Sequence, residues 1–78
     1  MTEAQKDTLR AVAAAKAIFD GRNLTDSNFS SIMVTLEHTV ASVLLSLFPD
    51  DPAKAAAMLN EGLVQGVESR ISLYRSKQ

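Results

Sequence analysis

From Ser27 to Phe48 the chain carries no lysine or arginine, and Glu37 is its only charged residue. The stretch is long enough for about six helical turns. A helix on the surface of a small soluble protein normally turns one charged face to water. This one offers an apolar arc and a face of hydroxyls: Ser31, Thr35, Thr39, Ser42 and Ser46. Phe29, Ile32, Met33, Leu36, Val40, Val43, Leu44 and Leu47 form one stripe, and Val34, Ala41, Leu45 and Phe48 widen it past half the circumference. One neighbouring helix cannot cover so wide an arc. The pattern therefore predicts a helix sheltered on most sides, by its own chain and by a second copy.

Length sharpens that expectation. At 78 residues the chain is one domain, read as a single helical domain over 1–78. A chain of this size buries only about 60% of its unfolded surface, so a lone core is marginal. Disulfides, metals or oligomerisation normally make up the difference. There is no cysteine and only one histidine, which leaves no thiolate site and no histidine cluster. No metal and no cofactor are expected, and a homodimer is the remaining device.

No period-two alternation appears, so the fold class read from the sequence is all-α. Its form is a three-helix bundle, or a helical hairpin plus an N-terminal helix, assembled as a homodimer. The helices are placed at about 2–19, 27–48 and 52–76. In the first, Ala4, Thr8, Ala11, Val12, Ala15, Ile18 and Phe19 share one side, opposite Lys6, Asp7 and Arg10. Thr2 with Gln5 has the spacing of a capping box, and Gly21 is placed to end the helix with positive φ. Thr25, Asp26 and Ser27 all suit the start of the second helix. Pro49 stops that helix, and Asp51 followed by Pro52 reads as an N-cap with proline at the first helical position. The third helix lays Ala56, Leu59, Leu63, Val67, Ile71 and Tyr74 on one side. Gly62 and Gly66 lie one turn apart at its edge. They either weaken the helix or mark a close crossing with another one, and a break at Gly62 is the other reading.

Polar residues in apolar arcs are the next signal. Glu37 falls between Leu44 and Phe48 on the wheel of the second helix, and Arg70 between Leu59 and Leu63 on that of the third. Arg70 either meets a carboxylate, Glu37 or an acid of a partner chain, or both side chains reach out to water with their stems packed. Glu37 and His38 are adjacent, but sequence neighbours on a helix point about 100° apart and do not form an acid–base dyad. His38 reads as a boundary or interface residue that could make an interface sensitive to pH.

Function classes narrow by exclusion. No catalytic constellation is visible, so no enzyme is expected. The net charge of −1 and the four aromatic residues give neither a basic stripe nor a stacking platform for nucleic acid. Arg70, Arg75 and Lys77 follow Glu61 and Glu68 and suit a helix C-terminus. Asn28 to Phe48 has the length of a membrane span. Glu37 at its midpoint costs about 3 kcal/mol at a bilayer centre, and no basic flank anchors either end. The N-terminal residues lack an apolar signal segment, and a cytoplasmic protein without membrane contact is expected. What remains is a small helical interaction module, an adaptor, regulator or inhibitor, that partners itself and another protein. Ser42, Ser46, Gly62 and Gly66 are its candidate interface residues. The second reading is an accessory subunit of a larger complex, held by a heterologous partner through helix two. A carrier of apolar ligands is the weakest, since alanine and glycine favour tight packing.

Overall fold

The computed structural model describes residues 1–76, which leaves Lys77 and Gln78 outside the description. The order is α1 (Glu3–Phe19), α2 (Asp26–Leu47), α3 (Pro52–Met58), a π-helical turn (Leu59–Leu63) and α4 (Val64–Ser76). The last three run on without a break, so the described residues form three helical segments and include no strand. The chain divides into two units, Met1–Thr39 and Val40–Gln78, with α2 passing from one to the other.

Local chemistry sets the ends. Thr2 caps α1 in a full capping box: its hydroxyl accepts from the Gln5 backbone N–H at 3.2 Å, and the Thr2 N–H donates to Gln5 Oε1 at 2.9 Å. The C-terminus differs from the glycine-only expectation. Asp20 takes the first left-handed position (φ 48°) and Gly21 the next (φ 69°). Aspartate tolerates that region because its short side chain bonds locally, so two residues share the reversal. The Asp51 carboxylate accepts from the Lys54 N–H at 3.0 Å, with Pro52 in the first turn of α3.

In the unit Met1–Thr39, no residue is buried. Ala15, Ile18 and Phe19 of α1, Arg22 of the connector, and Asn28, Ile32, Thr35 and Thr39 of α2 are half-buried. Among the described residues of the unit Val40–Gln78, Ala55 is the one buried residue, at 5% exposure, and Val40, Leu44, Phe48 and Ala57 are half-buried. Burial there gathers around the turn of Phe48 to Asp51, where the Asp51 N–H donates to the Phe48 carbonyl at 3.2 Å. The Lys54 ammonium stands 5.2 Å from the Phe48 ring centroid, within cation–π range.

Candidate interaction surface

Four polar contacts meet at Arg22. Its Nε donates to the Phe19 carbonyl at 3.0 Å and one terminal nitrogen to the Ile18 carbonyl, both at the open end of α1. The other terminal nitrogen donates to Ser31 Oγ at 2.7 Å, and the first also reaches Thr35 Oγ1 at 3.2 Å. The last carbonyls of a helix have no partner within it and carry partial negative charge. The guanidinium answers both needs and ties α1 to the hydroxyl face of α2. Sequence reading missed this residue, because its partners lie up to thirteen positions away.

Three hydroxyls of that face turn inward on their own backbone. Thr35 donates to the Ser31 carbonyl at 3.1 Å, Thr39 to that of Thr35 at 2.8 Å, and Ser46 to that of Ser42 at 2.7 Å. These hydroxyls are satisfied as donors and present a low, nearly neutral surface. Ser42 and Ser46 are exposed. So is much of the apolar arc beside them: Phe29 is 55% exposed, Val43 55% and Leu47 65%. None of α2 is buried, and by length and composition it is apolar enough to cross a membrane.

The π turn governs the other candidate face. The Val64 N–H bonds to the Leu59 carbonyl, five residues back, and the Leu59 N–H is shared between Ala55 and Ala56. Asn60 Nδ2 donates to the Ala56 carbonyl at 3.0 Å beside this loosened ladder. A π turn holds one residue beyond the α register, which turns everything after it by about 100°. With that rotation Leu63, Val67, Ile71 and Tyr74 fall within an arc of about 80° that also holds Ala55 and Leu59. In an unbroken α-helix their stripe would lie about 100° away from Ala55. The turn thus joins the apolar side of α4 to the one buried position of the unit. Exposure rises along that line: 37% at Leu59, 45% at Val67, 53% at Ile71 and 73% at Tyr74.

The glycines meet little. A Cβ built on Gly66 touches nothing within 4 Å, and one on Gly62 touches only Met58 Cε at 3.4 Å. Within the unit, neither marks a helix crossing. Glu37, His38 and Arg70 are exposed. Among the described residues the ion pairs are Lys6–Glu3 at 3.2 Å and Arg10–Asp7 at 2.8 Å, both on the outer face of α1. A recess beside Gln65, Glu68, Ser69, Ser72 and Leu73 is open surface along α4. The described residues hold no group of three or more His, Asp or Glu placed for a metal ion. No protein-family model matches the chain, and neither curated proteins nor solved structures give a significant match.

Proposed function

We propose that this chain is a non-enzymatic helical interaction module that acts as a homodimer. One observation carries the reading. Each unit forms well-capped helices, yet their long apolar arcs stand open, with Ala55 the only buried residue among those described. Apolar surface on that scale marks a site of association. Ser42 and Ser46 on α2, and Gly62 and Gly66 beyond it, are where a neighbouring helix can come closest. The two serine side chains are short, the glycines carry none, and Ser46 spends its hydroxyl on the Ser42 carbonyl. The covering surface is protein rather than lipid, because Glu37 and His38 stand midway along α2 and a carboxylate at bilayer depth costs about 3 kcal/mol. A cytoplasmic setting follows from the same reading. An adaptor, regulator or inhibitor role fits a surface without reactive groups.

The mass of the purified chain in solution tests this. Light scattering at tens of micromolar should return twice the chain mass. A stable monomer overturns the homodimer. Soluble behaviour only after co-expression with a second protein would favour the accessory-subunit reading, for which the width of the α2 arc also speaks.

A further inference from the structure

The reading of the chain as a homodimer leaves the mode of pairing open, and α4 carries a pattern that selects one. Val64, Val67, Ile71 and Tyr74 are spaced three, four and three residues apart, the a and d positions of a two-heptad seam. All four are exposed, from 40% at Val64 to 73% at Tyr74. Glu68 and Arg75, seven residues apart, line one flank of the seam. Arg70 lies on the other flank, with Leu63 one heptad before it.

We infer that α4 pairs antiparallel with α4 of a second copy, with the two-fold axis between Val67 and Ile71. The charges decide the direction. An antiparallel pair brings each flank against the same flank of its partner. Glu68 then faces the partner's Arg75, and symmetry repeats the contact on the far side of the axis. Val67 meets the partner's Ile71, and Val64 meets the partner's Tyr74, since an antiparallel seam sets each a position opposite a d position. Arg70 approaches its own copy across the other flank, one unfavourable contact against two favourable ones. A parallel pair in register would set Arg70 beside the partner's Arg75 twice over, with like charges at both places. The surface commits to a second copy because one flank carries both members of the complementary pair. Gly62 and Gly66 lie off this seam and are not contacts of this pairing.

Charge reversal tests the pairing, read by sedimentation equilibrium with far-UV circular dichroism as a check on helix content. Glu68→Arg puts like charges at both symmetric contacts and should weaken the dimer by roughly tenfold or more in Kd. Adding Arg75→Glu restores complementarity with the signs exchanged, and Kd should return to within about threefold of the parent, inside the context scatter of such surface pairs. Arg70→Met removes the one repulsion and should tighten the dimer. A parent chain that is monomeric, or that associates only with a different protein, overturns both this pairing and the homodimer. A dimeric parent whose mass is indifferent to both reversals overturns the α4 seam alone and leaves the dimer to another face.

Discussion

Arg22 is the residue on which the first unit most depends. It is half-buried, closes two carbonyls at the end of α1, and reaches two hydroxyls of α2. Bonds from a charged donor are worth more than neutral ones, but water replaces part of what is lost. Arg22→Met should therefore cost about 1–2 kcal/mol in urea denaturation followed by circular dichroism. Arg22→Lys should recover little, since an ammonium cannot serve four acceptors spread across a planar fork. Equal stability of the arginine and lysine forms would show that charge alone acts at the helix end. The contrast with Thr2 explains what a sequence discloses at this scale. The capping box is closed by residues three apart, so Thr2 and Gln5 announce it. Arg22 acts through a chain reversal that Asp20 and Gly21 must first make, and no spacing in the sequence encodes that geometry. Glu37 and Arg70 stood out as charges in apolar arcs, and His38 as a boundary residue beside Glu37. In the chain itself those arcs are open, so the three side chains are wet and their placement gives no strain to explain.

At the scale of elements, the three helical segments and their borders were legible to within a residue or two. Asp51–Pro52 and the hydroxyl-rich start at Thr25 to Ser27 carry their own stereochemistry. The π turn was not legible. Gly62 suggested a kink or a break, yet the ladder continues through five residues with its register shifted. What favours the shift is cooperative: the Asn60 amide on the Ala56 carbonyl, the bare Gly62 beside Met58, and apolar residues four apart that only a wider turn keeps in line. The cost should be measurable. A π turn is rare inside an α-helix, so opening it should cost less than opening the regular ladder that follows. Amide exchange at Leu63 and Val64 should be faster than at Val67 to Ile71 by roughly tenfold, about 1.4 kcal/mol in opening free energy. Equal protection at Leu63, Val64 and Val67 to Ile71 would mean that the segment is a plain α-helix in solution. In that event the apolar side of α4 would no longer share a line with Ala55.

For the whole molecule, the excess of apolar surface on α2 was legible, but the way the chain deals with it was not. Hydrophobic periodicity says which side of a helix avoids water and nothing about what covers it. The wheel placed Phe29 on the stripe expected to be sheltered, whereas it is 55% exposed. The consequence is thermodynamic. Covering the open half of a Val, Leu or Ile side chain contributes about 1 kcal/mol. Several such residues on α2 and α4 together approach the net stability of an ordinary small domain, about 5 kcal/mol at the low end. If that contribution comes from a second copy, folding and association are one equilibrium, and stability rises with protomer concentration. Thermal melts between about 2 and 200 μM should then show a midpoint climbing by roughly 3–5 °C for each tenfold increase. Since unfolding and dissociation coincide, one helical signal should report both. A midpoint that stays fixed over that range would mean that each chain shelters its own apolar arcs, and the case for a partner built on their exposure would fall with it.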